Sequence, residues 1–251
     1  YLKGVDHDLK NYKEYLTSNV GGAWYGNDYS TSEIQILKNE KKDVIISAIK
    51  NSNADFTFVV FTGHGFLYSK NDLTYICLSD GYLSEHDLIT SAKRRVLILD
   101  CCRESEDMSE SFLGDGGKIS KSRDSLSFYS NSKVLEINTS RSVIHSRAKF
   151  DLALQLSNEG QFTGYACLID QTSGDNPTSG GAFSSELINT GKNFGSIDRK
   201  DFWLPIRRAV NETIKTLKDD IFTDQIPTYI TTPINMDLTH PFAITNMLNI
   251  I

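Results

Sequence analysis

The sequence lacks the marks of a secreted or membrane protein. Its four cysteines, at positions 77, 101, 102 and 167, form no CxxC pair and no spacing typical of a disulfide framework. No apolar run approaches the roughly 20 residues that a membrane-spanning helix needs, and no secretory leader is visible. We therefore expect a cytoplasmic protein that has no membrane partner.

Positive charge is also in short supply. The chain has 26 Lys and Arg against 32 Asp and Glu, a net charge of −6, so we expect no nucleic-acid partner. Its five histidines are scattered without a cysteine at metal-ligand spacing. We expect no metal site and no cofactor on these grounds.

What the chain does contain is a regular alternation of apolar runs and amphipathic segments. "FTFVVFT" (56–62) and "RRVLILDC" (94–101) are typical of fully buried parallel strands. The alternation predicts an α/β fold of three layers, with a mostly parallel central sheet flanked by helices. Other strands are predicted at 32–37, 74–79, 164–170 and 226–231, and helices at 9–16, 41–52, 84–92, 147–157, 182–190 and 201–217.

The periodic pattern stops between residues 104 and 147, where Ser, Gly and charged residues dominate. Such a stretch inside a domain is typical of a functional or flexible loop. We therefore interpret 1–251 as a single domain, with a first part at 1–103, a flexible insert at 104–147 and a second part at 148–251.

Two predicted strands end in residues that carry chemistry. The first is followed by Gly63, His64 and Gly65, and the second ends in Asp100, Cys101 and Cys102. Parallel strands bring both ends to one edge of the sheet, where an imidazole can activate a thiol. The N–H of Gly65 and that of the nucleophile would then hold an oxyanion. The alternative is a loop histidine beside two packed thiols.

"VVFTGHG" followed by "VLILDCCRE" resembles the caspase/metacaspase superfamily of cysteine endopeptidases. "DCCR" lies between the caspase pattern Q-A-C-R-G and the metacaspase pattern D-S-C-H-S-G. The resemblance implies that Cys102 is the nucleophile and His64 the base, with Cys101 packed inward. The glycine that ends both patterns is Glu104 or Ser105 here, so the loop after Cys102 departs from the family.

The resemblance extends over nearly the whole chain. "LKGVDHDLKNYKEYL" is similar to the first-helix signature of the family, "CLIDQTSGD…GGAFSSELI" to a metacaspase stretch, and "QIPTY…HPF" to the end of the domain. It implies the caspase-haemoglobinase fold. In that fold a strand precedes the first helix, and we expect it upstream of Tyr1 or from another chain.

Asp100 stands where caspases have the glutamine that helps to bind aspartate. On a strand, Asp100 and Cys102 project to the same face, so a carboxylate beside the nucleophile favours a cationic substrate side chain. Asp8 matches the metacaspase acid that completes this pocket. The resemblance therefore implies cleavage of proteins after Arg or Lys. The alternatives are a solvated helix-start acid for Asp8 and a structural strand-end acid for Asp100.

The insert lies where family members are cut on maturation, and its basic residues would suit self-processing. These residues are Lys118, Lys121, Arg123, Lys133, Arg141 and Arg147. An uncut, solvated loop is the alternative. Some metacaspases need calcium, and the oxygen ligands available for it are Asp72, Asp80, Asp107 and Asp115. Their spacing is not diagnostic, and solvated surface acids are the preferred interpretation.

By family analogy we expect regulated proteolysis in cell death or defence, with an activating partner protein or regulatory domain. Two other interpretations remain open at this stage. One is a catalytically silent caspase-like binding or regulatory module, and the other is an unrelated hydrolase or acyltransferase that uses the same Cys–His pair.

Overall fold

The computed structural model describes residue 2 and the ranges 4–25, 32–106, 125–130, 141–196, 201–219, 225–234 and 236–245. Its helices are α1 (Gly4–Thr17), α2 (Lys42–Lys50), α3 (Arg141–Leu156), α4 (Ala182–Ser196) and α5 (Ile206–Asp219), with a 3₁₀ turn at Glu85–Leu88. The strands are β1 (Ile34–Lys38), β2 (Phe56–Thr62), β3 (Gly65–Tyr68), β4 (Leu73–Leu78), β5 (Gly81–Ser84), β6 (Arg94–Asp100), β7 (Ser105–Glu106), β8 (Ser125–Ser130), β9 (Gly160–Tyr165), β10 (Asp175–Asn176), β11 (Gly180–Gly181), β12 (Trp203–Pro205), β13 (Thr228–Thr232) and β14 (Pro241–Ile244).

A central sheet of six described strands has the order β1-β8-β2-β6-β9-β13. Strand β6 pairs in parallel with β2 and with β9, while β8 and β13 run antiparallel to their neighbours. Four of these six strands therefore share one direction. The predicted α/β fold with a mostly parallel central sheet is confirmed.

The two faces of the sheet are covered by different layers, as the alternation of side chains along β2 requires. Phe58 and Val60 face a core built with residues of α1, α3, α4 and α5. Val59 and Phe61 face the other core, which includes residues of α2 and of the small sheet β5-β4-β3-β7. Burial on both faces explains why all seven residues of β2 are buried.

Several predicted elements have different bounds in the structure. The strand predicted at 164–170 is β9, which ends at Tyr165, and Asp170 already has a left-handed backbone (φ 62°). The helix predicted at 84–92 is a single 3₁₀ turn, because Ile89 is extended, although its Ser84–Asp87 capping box is formed. The helix predicted from residue 201 begins at Ile206, because the preceding strand β12 pairs with β14.

Parts of the range predicted as an insert form regular structure. Strand β8 lies inside it, and helix α3 begins at Arg141, within the range predicted to be flexible. Most of the remaining insert, including Lys118, Lys121, Arg123 and Lys133, lies outside the described residues. None of the described helices is long and apolar enough to cross a membrane.

Candidate active site

The ends of β2 and β6 form the frame of the site. Their parallel ladder closes with Thr62 opposite Asp100, and the Gly63 N–H donates to the Asp100 carbonyl (3.1 Å). His64 and Cys102 each follow this last pair by two residues, at the same edge of the sheet. Both side chains are half-buried. The backbone register thus matches the arrangement predicted from the two strand ends.

The neighbouring cysteines differ in environment. Cys101 is buried in the core that covers the α2 face of the sheet, whereas Cys102 is the only one of the four cysteines that is not buried. Gly65 follows His64 as the first residue of β3 and packs on Cys101. A Cβ atom at Gly65 would lie 2.6 Å from the Cys101 Sγ, so only glycine fits there.

The Cys102 sulfur receives a hydrogen bond from a backbone amide. The Ser173 N–H donates to the Cys102 Sγ (3.4 Å), which favours the thiolate. Burial opposes it and raises the pKa of the Cys102 thiol, and the charges of Glu104 and Asp100 act in the same direction. The thiol is therefore protonated at rest near neutral pH, and a base has to take its proton before it can attack.

Asp100 is buried (4% exposed) at the end of β6 and is held by two serines. The Ser173 hydroxyl donates to its Oδ1 (2.6 Å), and the Ser184 N–H and hydroxyl donate to its Oδ2 (3.0 and 2.5 Å). Ser184 belongs to the first turn of α4, so this helix start also faces the carboxylate. Asp100 is thus held in place two residues before Cys102.

Asp8 lies on the buried face of α1 and is 1% exposed, which excludes the alternative of a solvated helix-start acid. The Thr62 hydroxyl donates to its Oδ2 (2.6 Å) and the Gly181 N–H to its Oδ1 (2.9 Å). A Cβ atom at Gly180, whose φ is +97°, would lie 2.1 Å from that same oxygen. The turn between β10 and β11 therefore closes tightly over Asp8.

The two acids share one site. Gly181, which donates to Asp8, also lies so close to Asp100 that a Cβ atom there would be 2.3 Å from the Asp100 Oδ2. Burial and the charge of Asp100 raise the pKa of Asp8 to about 8. Burial also raises the pKa of Asp100, against the hydrogen bonds from Ser173 and Ser184, and the charge of Asp175 adds to both shifts.

None of the described ion pairs includes Asp8 or Asp100. Two buried carboxyl groups side by side are unfavourable unless one keeps a proton or a cation binds. The charge of the pair is therefore complementary to a guanidinium or ammonium group.

Sequence reasoning missed four residues of this arrangement. Thr62 and Ser184 bind the two acids, Ser173 bridges Asp100 and Cys102, and Asp175 adds a third negative charge. For Ser173, Asp175 and Ser184 the signal was the metacaspase-like stretch "CLIDQTSGD…GGAFSSELI", to whose residues no role had been assigned. Thr62 could have been predicted to lie at the site, because it is the last residue of β2 before the Gly-His-Gly run.

Other residues singled out by the sequence lie elsewhere. Arg147, predicted as an insert cleavage position, belongs to α3 and forms a two-pronged ion pair with the buried Glu33 (2.6 and 2.7 Å). The Asp80 carboxylate accepts from the Lys42 N–H (3.1 and 3.2 Å). No group of three metal-ligating side chains occurs among the described residues, while Asp107 and Asp115 lie outside them.

Comparison with known proteins finds a matching family model and similar structures. A family model described as the caspase domain matches residues 1–238. The structure resembles that of caspase-1 from Spodoptera frugiperda, with a TM-score of 0.51 and 15% identity over 95% of this chain and 82% of that one. A Geobacter sulfurreducens protein matches with a TM-score of 0.43 and 18% identity, over 81% of this chain and 77% of that one. The search of curated proteins found no match.

Proposed function

The chain belongs to the caspase-domain family, whose members are cysteine endopeptidases, and we propose that it cleaves proteins after Arg or Lys. One observation carries this specificity: the buried acids Asp8 and Asp100 lie together and have no described cationic partner. Asp100 precedes Cys102 by only two residues. Such a pocket stabilises a cationic side chain and repels an acidic one.

In the proposed reaction, His64 takes the proton of the Cys102 thiol as the sulfur attacks the scissile carbonyl. The N–H groups of Gly65 and Cys102 donate to the oxyanion that forms. His64 then gives the proton to the leaving amine, and water hydrolyses the resulting acyl-enzyme. The raised pKa of Cys102 makes the base essential, because little thiolate exists before substrate binds.

Substrate binding itself assists the attack. The negative charge of Asp100 is one cause of the raised Cys102 pKa. A cationic side chain bound at Asp100 offsets that charge and so favours the thiolate. An Arg or Lys substrate would thus promote the formation of its own nucleophile, whereas an Asp substrate would oppose it.

A set of fluorogenic peptides that end in Arg, Lys or Asp tests the proposal. We expect cleavage after Arg and Lys, loss of activity in Cys102→Ala and His64→Ala, and a loss of basic preference in Asp100→Asn. Cys101→Ala is the matched control, since it removes the neighbouring thiol from the core, and should remain active. A preference for Asp would contradict the pocket assignment. A silent regulatory module would show no cleavage of any peptide by the folded wild type.

Self-processing within the insert is part of the proposal, now without Arg147. Arg147 lies in helix α3 and forms ion pairs with Glu33 and Asp151. The candidate cleavage positions are therefore the basic residues at 118, 121, 123, 133 and 141. Intact mass measurement of wild type and Cys102→Ala tests this, and identical masses would show that no self-cleavage occurs. Assays with and without calcium, and with the calcium chelated, test the calcium requirement.

A further inference from the structure

Gln225 lies outside both strand ends but connects to the same site. Its side chain is buried (3% exposed) just before β13. The Gln225 Oε1 accepts a hydrogen bond from the Gly174 N–H (2.8 Å), and its Nε2 donates to the Ala166 carbonyl (3.0 Å). One amide group therefore ties together the two ends of the segment 166–174, which leaves β9 and returns over the active site.

The residue next to Gly174 is Ser173, which contacts both parts of the site. The Ser173 N–H donates to the Cys102 Sγ, and its hydroxyl donates to Asp100. On the other side, the Gly174 carbonyl accepts from the Ala182 N–H (3.0 Å) at the start of α4. The peptide groups on the two sides of Gly174 are thus held by separate partners, and Gln225 supplies one of them.

We propose that Gln225 is a positioning residue that fixes Ser173 against Cys102 and Asp100. The expected effect of Gln225 on substrate cleavage rests on the proposed function, whereas its expected effect on the Cys102 thiol does not. The primary amide of Gln offers both an acceptor and a donor, whereas an ionised Glu of the same length offers acceptors alone. The fit is close, since a Cβ atom at Gly174 would lie 3.1 Å from the Gln225 Oε1.

The inference predicts a measurable change at a group that Gln225 does not touch. The hydrogen bond from the Ser173 N–H favours the Cys102 thiolate and lowers the thiol pKa against the effect of burial. If Gln225 no longer holds Gly174, Ser173 moves relative to the sulfur and this stabilisation weakens. A residue with a merely structural role would change protein stability and leave the titration of Cys102 where it is.

The test is the rate of Cys102 alkylation by iodoacetamide as a function of pH, with Cys102→Ala as the blank. For Gln225→Met we expect the pH midpoint to rise by roughly half a unit or more. Gly174→Ala places a Cβ atom 3.1 Å from the Gln225 Oε1, so it perturbs the same contact from the other side and should shift the midpoint in the same direction. Gln161→Met is the matched control: this glutamine lies on β9 and donates to the Thr163 hydroxyl, and its loss should leave the midpoint unchanged.

Peptide cleavage supplies the second measurement. We expect kcat for Arg peptides to fall at least about fivefold in Gln225→Met, together with a change in the Arg-to-Lys ratio of kcat/KM. Unchanged alkylation midpoints in Gly174→Ala and in folded Gln225→Met would overturn the inference. Because alkylation needs no substrate, it decides the role of Gln225 even if the wild type cleaves no peptide, which would refute the proposed function alone.

Discussion

The buried acid pair leads to a prediction about protons. The pKa of Asp8 is raised to about 8, because the group is buried beside Asp100. Near neutral pH the pair therefore retains a proton, which a bound arginine side chain has to displace. Well below pH 8, each further pH unit then costs about 1.4 kcal/mol of binding free energy, so affinity should weaken about tenfold per unit there and about fiftyfold from pH 8 to pH 6.

The assay is peptide binding to Cys102→Ala, which removes the titrating thiol and prevents turnover. A peptide that ends in arginine is titrated between pH 6 and 9 by calorimetry, in two buffers with different ionisation heats. We expect about one proton to be released per peptide near pH 7, and affinity to level off above pH 8. A peptide with citrulline in place of arginine has the same shape without the charge, and it corrects for every pH effect on binding that does not depend on that charge.

Asp8→Asn in the same background separates the two acids. The variant should lose the steep pH dependence below pH 8 and bind arginine more weakly than its parent at pH 9, where it lacks one carboxylate. Equal affinity of the parent at pH 6 and pH 8, or the same pH dependence with the citrulline peptide, would refute the reasoning. In that case the arginine side chain does not bind at these acids.

Three further predictions concern packing and stability. Gly181→Ala places a Cβ atom 2.3 Å from an Asp100 oxygen, so kcat/KM for Arg peptides should fall at least about tenfold in the fluorogenic assay; wild-type activity would contradict the pocket geometry. Arg147→Met leaves the Glu33 carboxylate buried without its cation and should lower the free energy of unfolding by about 3–5 kcal/mol in urea, with recovery in a double variant that carries Glu33→Gln. Burial lowers the pKa of His240 from 6.5 to about 4, so the unfolded chain binds a proton that the folded one does not, and stability should fall by about 3 kcal/mol between pH 7 and pH 4; His240→Asn should reduce that loss.

Sequence reasoning was most successful where local pattern determines structure. The run 56–62 and the strand that ends at Asp100 are mostly apolar because both faces of the sheet are covered. This pattern can be recognised in each segment without knowledge of the strands that it pairs with. The position of Cys102 on the more exposed side of the strand end followed from the alternation of side chains. The register between the two strand ends could also be anticipated, because parallel neighbours in a sheet end at a common edge.

The contacts that could not be predicted are those between segments far apart in the chain. Ser173 reaches Asp100, and Gln225 reaches Gly174, through loops whose course no periodicity encodes. His240 is fully buried, and its ring packs on Phe56 and hydrogen-bonds Ser157 and the Gly160 carbonyl. A lone histidine in a polar stretch carries no local sign of such an environment.

The place of β8 in the central sheet has a consequence for how the molecule is assembled. Strands β1 and β2 follow one another in the chain, but each pairs with β8, which is synthesised only after Cys102. During translation, β1 therefore has no described strand to pair with until residues 125–130 have left the ribosome. Contacts of such long sequence separation are slow to form. A nascent fragment that ends near residue 106 would expose the edges of β1 and β2, and it is at this stage that we expect a need for chaperones.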